Sequence, residues 1–335
     1  MSVELIIVVI LALGFDFVNG FHDAANAIAT CVSTRALSPR NAILMARTLN
    51  FVGAITSTAV AYTVGKGVVN VAGHTDPMSI VLVALIGAIG WDLITWYWGL
   101  PSSSTHALVG GLMGAGIVSI GVKCLVWKGI RKVLLAMFVS PILGAIAGLI
   151  CVSILYWCFY RSHPSRANRN FRWAQIVSAA WMSFSHGMND AQNAMGIITL
   201  ALISGHWIKL AHPNDFPVPI WVMLASALAM GMGTSAGGWR IIKTMGQRMV
   251  DLKPIDGFAA ETSAGAVIVG MSLLGAPIST THVISCAIMG TGAAKNITSV
   301  RWNVVRRIIY AWVLTIPGAA LIAGLAWYIR TLFVG

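Results

Sequence analysis

The first apolar segment of the chain contains GFHDAANA at residues 20–27, and the same pattern returns as GMNDAQNA at residues 187–194. Both copies read Gly-x-x-Asp-Ala-x-Asn-Ala, so Asp23 precedes Asn26 by three residues and Asp190 precedes Asn193 by three. Residues three apart lie on one face of a helix. Each copy therefore predicts a polar face on a helix that is otherwise apolar.

The composition of the chain indicates a protein that lies in a lipid bilayer. Of its 335 residues, 57% are hydrophobic and only 10% are charged, whereas soluble domains carry about 25% charged residues. The mean hydropathy is +0.81. The net charge of +12 does not point to nucleic acid, because the basic residues lie in short loops between apolar stretches and form no nucleic-acid recognition motif.

The apolar stretches predict an all-α polytopic membrane protein of about 10–12 helical segments, since a span needs about 20 apolar residues. We place them near residues 3–31, 42–64, 79–99, 102–120, 133–160, 174–203, 219–238, 257–275, 279–294 and 308–334. Segments 102–120 and 279–294 are short, rich in glycine, and follow the preceding segment after a proline. We therefore expect re-entrant helical hairpins at about 79–120 and 257–294, where a broken backbone can line a cavity.

A second motif precedes the last segment of each hairpin, as PSSSTH at residues 101–106 and PISTTH at residues 277–282. Two motifs in the same order in both halves predict two repeats, at residues 1–160 and 173–335, separated by a short basic linker at 161–172. Basic linkers lie in the cytoplasm, which places both termini outside and leaves the basic loop 121–132 outside as an exception. The halves then have inverted topology, and we expect each to begin with a broken helix.

The proline motif is suited to an anion. Proline, serine and threonine favour the first turn of a helix, whose free N–H groups and positive dipole end attract oxyanions. Two such helix ends that meet at mid-membrane could enclose one tetrahedral anion between their hydroxyl groups. The alternative is a helix kink whose hydroxyls bond to the preceding turn.

The opening motif is suited to a cation. A buried aspartate in a membrane helix costs at least about 2.5 kcal/mol, and neither Asp23 nor Asp190 has Lys or Arg nearby in the sequence. Carboxylate, carboxamide and freed carbonyl oxygens are ligands for Na⁺ or another hard cation. Alternatively, the aspartates carry a proton or only cap half-helices. Because a cation that neutralises the aspartates favours a nearby anion, the motifs predict cation symport of an anion.

Other polar residues of the apolar segments have less defined roles. His22, His106 and His282 belong to the motifs, as does His186, and we expect them to support the ligands or to handle protons. Asp92 and Glu261 are acids within apolar segments and have no counterpart in the other half. They are either paired inside the bundle or part of an ion path. We expect no cofactor and no metal other than the coupling cation.

SHGMNDAQNA at residues 185–194, PISTTH at 277–282 and their partners in the first half resemble the signature of the inorganic phosphate transporter family (Pit or PHO4). The resemblance implies an inverted-repeat carrier of the inner (plasma) membrane, commonly a homodimer, that moves phosphate with Na⁺ or H⁺. It assigns cation binding to Asp23, Asn26, Asp190 and Asn193. It assigns phosphate binding to Ser103, Ser104, Thr105, Ser279, Thr280 and Thr281. Some members of that family carry an intramembrane glutamate in both halves. This sequence differs from them because it has one in the second half only, Glu261.

Three other functions compete with phosphate import. Sulfate is also a tetrahedral oxyanion and is carried by some relatives. A membrane-embedded hydrolase would use His and Asp, but no nucleophile, base and acid can be distinguished, and enzymes seldom duplicate a site across an inverted axis. An anion channel would show flux that ignores cation gradients. We therefore predict a transporter with no catalytic residues, not an enzyme.

Overall fold

A computed structural model describes residues 3–71, 74, 76–210, 212 and 215–334. These residues form thirteen α-helices with three short 3-10 or π turns, and they contain no β-strand, only a single antiparallel bridge between Val69 and Leu125. The prediction of an all-α protein is confirmed.

The first half contains seven helices. They are α1 (Val3–His22), α2 (Ala24–Ser33), α3 (Pro39–Ala54), α4 (Ala59–Gly67), α5 (Pro77–Trp98), α6 (Ser104–Ser119) and α7 (Trp127–Phe159). The second half contains six helices and a π turn at Thr244–Arg248. They are α8 (Pro164–Ser204), α9 (Ile220–Ala236), α10 (Trp239–Lys243), α11 (Pro254–Leu273), α12 (Thr280–Lys295) and α13 (Trp302–Val334).

Several of these elements are long and apolar enough to cross a membrane. Within the described ranges four stretches qualify by length and composition: Val3–Ser33, Pro77–Trp98, Trp127–Phe159 and Trp302–Phe333. Two bent pairs, α3 with α4 at 74° and α9 with α10 and the π turn at 62°, qualify if each pair is one span. The chain is therefore a multi-pass membrane protein.

The two halves repeat the same late elements. Helices α6 and α12 have 16 residues each, and α7 and α13 have 33 residues each, with one internal proline, Pro141 or Pro317. The elements are also exchanged in the packing, because α7 packs against α12 of the other half and α13 packs against α6. Neither half therefore forms its own complete core. The inverted orientation of the halves in a membrane stays a prediction.

The hairpins α5–α6 and α11–α12 turn at equivalent glycines. Gly99 and Gly275 follow α5 and α11 with φ of +66° and +62°, a backbone conformation that only glycine adopts without cost. Each glycine carbonyl is held by a threonine, since Thr244 Oγ1 donates to Gly99 O and Thr63 Oγ1 donates to Gly275 O, both at 2.8 Å. A basic side chain holds each turn as well, because Arg240 donates to the Tyr97 carbonyl and Lys132 donates to Gly275 O at 2.7 Å.

The expected break in the first helix appears in one half only. In the first half α1 ends at His22 and α2 begins at Ala24, but α8 runs unbroken through Asp190, so the break predicted for the second half is wrong. His22 contacts the adjacent Asp23, and consecutive residues point in different directions on a regular helix. His186 contacts Asp190 four residues later, which a regular helix allows.

Two further boundaries differ from the expected ones. The apolar segment 42–64 is two helices, α3 and α4, because the chain bends between them at residues 55–58. The basic stretch 161–172 is mostly helical, since α8 begins at Pro164, a residue type favoured at the first helical position. Most of its side chains are exposed to solvent.

Candidate functional site

The two motif aspartates meet in the interior of the protein. Asp23, Asp190 and His186 each offer a ligand atom, and these atoms lie within 4.8 Å of one another. All three residues are at most 2% exposed. His22 Nδ1 lies 2.6 Å from Asp23 Oδ1, and His186 Nε2 lies 3.2 Å from Asp190 Oδ2. Two carboxylates held this close in a buried site repel each other unless positive charge lies between them.

The motif asparagines join the two halves. Asn26 Nδ2 donates to Thr281 Oγ1 at 2.8 Å and to Thr280 Oγ1 at 3.2 Å, both at the start of α12. Asn193 Nδ2 donates to Thr105 Oγ1 at 2.9 Å, at the start of α6. Each motif helix is therefore bound to the hairpin of the opposite half. The amide oxygens of Asn26 and Asn193 are buried and accept no hydrogen bond from any described residue, so they are available as cation ligands.

The first turns of α6 and α12 also meet. Ser103 and Ser279 cap these helices, because their hydroxyl oxygens accept from the backbone N–H groups of His106 and His282 at 3.2 and 3.1 Å. The rings of those histidines lie with their centroids 5.0 Å apart. The two positive helix ends, with the buried hydroxyls of Ser104 and its neighbours, therefore converge on one region that suits an oxyanion.

One hydroxyl links the two predicted sets of residues. Thr280 Oγ1 donates to Asp190 Oδ2 at 2.9 Å and accepts from Asn26 Nδ2. Thr280 and Thr281, which are predicted to bind the anion, are therefore hydrogen-bonded to Asn26 and Asp190, which are predicted to bind the cation. All ten predicted ligand residues are between 0 and 2% exposed, so this cluster of ten residues is closed to solvent on both sides in this structure.

The histidines lie around this cluster. His22 Nε2 lies 3.1 Å from Thr95 Oγ1 and 3.3 Å from Ser102 Oγ, opposite its contact with Asp23. His282 stacks on Trp312 with ring centroids 4.0 Å apart. Both ring nitrogens of His106 are buried and, within the described ranges, have no hydrogen-bond partner. His22 thus orients Asp23, a predicted cation ligand. His106 and His282 contact each other in the first turns of α6 and α12.

The two unmatched acids occupy different surroundings. Glu261 accepts hydrogen bonds from Thr30, Ser178 and Gln175, and so joins α11 to α2 and α8. Asp92 is fully buried, faces Ser104, and has no hydrogen-bond partner in the part of the chain that the structure describes. In that same part neither acid lies within 4 Å of a Lys or Arg. Of the two alternatives for these acids, pairing with Lys or Arg is therefore not seen among the described residues, and a place on an ion path stays a prediction.

Three supporting residues were missed in the sequence. Asn189 donates to Asp190 Oδ1 at 2.7 Å and to the Ile278 carbonyl at 3.2 Å, so it fixes both the aspartate and the start of the hairpin motif. Gln192 Oε1 accepts from the backbone N–H groups of Val60 and Ala61 and so caps α4. Asn50 Oδ1 lies 3.1 Å from His186 Nδ1. Asn189 and Gln192 lie within the second motif copy, GMNDAQNA at residues 187–194, and their place in the motif could have marked them as supporting residues.

The chain is similar to known proteins over most of its length. A model of the phosphate transporter family matches residues 19–169 and 160–323. A probable low-affinity inorganic phosphate transporter of Bacillus subtilis is 46% identical over 97% of this chain and 96% of that protein. A protein with the same description from Rhizobium meliloti is 44% identical over 95% and 94%.

A solved structure that is similar to this chain is also described as a phosphate transporter. It is described as the sodium-dependent phosphate transporter, superposes with a TM-score of 0.91, and covers 100% of both chains at 27% identity. The relatives are named as transporters and not as enzymes, which confirms the prediction of a transporter over a hydrolase. With its duplicated motifs, its helical fold and these matches over nearly its whole length, the chain belongs to the phosphate transporter family.

Proposed function

We propose that this protein imports inorganic phosphate by symport with a cation, Na⁺ in preference to H⁺. The observation that carries the proposal is the meeting of Asp23 and Asp190 beside two hydroxyl-rich helix ends. The description of the solved structure as sodium-dependent supports Na⁺. Phosphate is preferred to sulfate, because the relatives reported above are named for phosphate.

The coupling follows from the charges of the site. Among the described residues, the basic groups within 4 Å of Asp23 and Asp190 are histidines only. Two carboxylates next to the hairpin ends repel phosphate until cations neutralise them. Cation binding then raises phosphate affinity, and by linkage phosphate raises cation affinity by the same factor. A membrane potential contributes about 2.3 kcal/mol per net charge per 100 mV to inward movement.

The closed cluster supports transport by alternating access. All ten ligand residues are at most 2% exposed, so the anion can enter and leave only after helices move. The bent pairs α3–α4 and α9–α10, with bends of 74° and 62°, lie at equivalent places in the two halves and are our candidates for the moving elements. A movement of each pair would open one side of the site.

The test is uptake of radiolabelled phosphate into proteoliposomes that contain the purified protein. We expect an inward Na⁺ gradient to drive uptake above equilibrium, unlabelled arsenate to compete, and sulfate to compete weakly. Uptake that ignores both Na⁺ and H⁺ gradients would overturn the coupling, and preferred uptake of labelled sulfate would overturn the substrate. Assembly as a homodimer stays a prediction, which mass photometry of the purified protein checks.

The change Asp190→Asn tests the cation role of the second motif. We expect it to raise the Na⁺ concentration needed for half-maximal uptake by about tenfold or more, because an ionised ligand contributes about 1.5–3 kcal/mol. Asp251→Asn is the matched control, since Asp251 is exposed and pairs with Arg301 away from the site. An unchanged Na⁺ dependence in Asp190→Asn would remove this residue from the cation site.

A further inference from the structure

Helix α1 carries another Asp-x-x-Asn sequence that the motif copies do not include. Residues 16–19 read DFVN, seven residues before Asp23 and Asn26. The backbone N–H of Asp23 still donates to the Asn19 carbonyl at 2.8 Å, so the hydrogen-bond pattern of α1 extends to Asp23. Seven residues are close to two helical turns, which places Asp16 on the same side of this segment as Asp23. Asp16 and Asn19 therefore repeat the Asp and Asn side chains of the motif, two helical turns before Asp23 and Asn26.

The side chains of Asp16 and Asn19 are both buried, and their polar atoms are left without standard hydrogen bonds by the described residues. Asp16 and Asn19 are 0% exposed. Neither carboxylate oxygen of Asp16 and neither side-chain amide atom of Asn19 has a hydrogen-bond partner among the residues described. Unsatisfied buried polar groups are rare in native proteins, and a buried carboxylate without compensation is more costly still. The pair therefore indicates a ligand that supplies positive charge.

A third oxygen comes from the neighbouring helix. Asp16 faces Ser226 of α9, close enough for its carboxylate to interact with the serine hydroxyl. This buried serine has no other hydrogen-bond partner in the described ranges. The two helices are in backbone contact beside this point. A Cβ atom on Gly20 would lie 2.3 Å from the Met230 carbonyl oxygen, and one on Gly233 would lie 2.0 Å from the Phe17 carbonyl oxygen. This contact holds Ser226 in place opposite Asp16.

We propose that Asp16, Asn19 and Ser226 form a separate site for a monovalent hard cation such as Na⁺. Carboxylate, carboxamide and hydroxyl oxygens are the ligands that hard cations take, and a single carboxylate is balanced by a single positive charge. Asp190 is close enough to interact electrostatically with Asp16, so a cation bound here offsets the negative charge of the main site. Its role as a second coupling ion rests on the proposed function.

The site is not part of the repeat. The residue 167 positions after Asp16 is Ser183, and its hydroxyl donates to the Ala179 carbonyl at 2.7 Å in the regular pattern of a helix. The second half therefore offers no equivalent carboxylate. Ser183→Ala is consequently a matched control at the equivalent position.

The test measures equilibrium binding of ²²Na⁺ to the purified full chain in detergent, without phosphate. The variants are Asp16→Asn, Asp190→Asn and the double variant. We expect each single variant to bind one Na⁺ fewer than the wild type, and the double variant to bind two fewer. Unchanged stoichiometry and affinity in Asp16→Asn would overturn the proposal, as would a double variant that binds as many ions as Asp190→Asn alone.

Two variants keep the test decisive if Asp16→Asn does not fold. Asn19→Leu and Ser226→Ala each remove one neutral oxygen, and we expect each to weaken Na⁺ binding by about threefold to tenfold, with Ser183→Ala unchanged. Full affinity in both variants would overturn the proposal. Because binding is measured without transport, a wild type that binds Na⁺ here but takes up phosphate without a Na⁺ gradient would contradict the proposed symport and leave the site supported.

Discussion

Asn26 and Asn193 have the same double role at the scale of single residues. Each donates its amide N–H to a threonine in the first turn of the second hairpin helix of the opposite half, α12 or α6. Each keeps a buried amide oxygen that accepts no hydrogen bond from the described residues. In the proposed function, the same side chain binds a cation through its oxygen and positions, through its nitrogen, a hydroxyl predicted to bind the anion.

The changes Thr105→Val and Thr281→Val test this arrangement. Valine keeps the shape and removes the hydroxyl that the asparagine binds. Since one hydrogen bond contributes about 1 kcal/mol, we expect the KM for phosphate to rise about fivefold in each variant, by similar factors because the two positions are equivalent. Uptake kinetics in proteoliposomes provide the measurement. Thr48→Val is the control, because its exposed hydroxyl donates only to the Leu44 carbonyl. An unchanged KM in both variants would contradict a phosphate role for these hydroxyls.

Glu261 has a structural role that a second substitution tests. Three donors from Thr30, Ser178 and Gln175 converge on its carboxylate. In Glu261→Gln the new amide N–H₂ faces these donors, so we expect a stability loss of about 1–3 kcal/mol and a lower midpoint of thermal unfolding in detergent. Glu4→Gln, at an exposed acid of α1, is the control. An unaltered midpoint together with altered Na⁺ dependence of uptake would place Glu261 on the ion path instead.

At the scale of elements, the helices approach each other through glycine. Gly20 and Gly187 are the first residues of the two motif copies. A Cβ atom added to Gly20 would lie 2.3 Å from the Met230 carbonyl oxygen, and one added to Gly187 would lie 2.1 Å from the Asn50 carbonyl oxygen. Small residues let membrane helices come into backbone contact. The first position of the motif therefore serves helix packing, whereas Asp and Asn within the same motif lie in the candidate site.

The pair Gly20→Ala and Gly14→Ala tests this packing within one helix. Alanine at Gly20 would press against the Met230 carbonyl, whereas a Cβ atom at Gly14 meets no atom within 4 Å. We expect Gly20→Ala to cost about 1–3 kcal/mol, and Gly14→Ala to be neutral or to stabilise α1 by up to about 1 kcal/mol. Thermal unfolding of the two variants in detergent gives the comparison. Equal midpoints would show that α1 and α9 adjust to the added methyl group.

At the scale of the whole molecule, the two halves depend on each other. α7 packs on α12 and α6 packs on α13, and the hydrogen bonds of Asn26 and Asn193 cross between halves. A half alone would expose these faces and would contain only one helix end of the predicted anion site. We therefore expect both halves to be needed for transport.

Expression of the chain as two fragments tests this dependence. A cut between Ser162 and His163 lies in an exposed connection. We expect the two fragments to co-purify and to take up phosphate when expressed together, and neither to be stable alone because its exchanged helices lack their partners. A cut between Met182 and Ser183, both fully buried in α8, is the control and should abolish uptake. A stable, monodisperse single half would contradict the prediction.

The sequence by itself determined the class of the protein and the identity of its repeated motifs. Charge depletion makes a membrane environment unavoidable, and helices are the form in which such segments satisfy their own backbone hydrogen bonds. Two patterns occur twice, as GFHDAANA and GMNDAQNA and as PSSSTH and PISTTH. This repetition identified the polar residues that meet in the interior. Both signals are local in the chain, which is why they could be interpreted without a structure.

Only the tertiary structure decided how these residues meet. The contact of Asn26 with Thr281 joins residues 255 positions apart, and no periodicity predicts a partner at that distance. That α8 runs unbroken through Asp190 while α1 ends before Asp23 is also visible only in the structure, because the two motif copies have the same pattern. Likewise, the sequence does not distinguish DFVN at residues 16–19 from other polar residues in an apolar helix. The structure does, because it shows that Asp16 and Asn19 are buried and that the described residues leave them without hydrogen bonds. Partner choice and desolvation depend on distant helices, and therefore emerge only when the chain is folded.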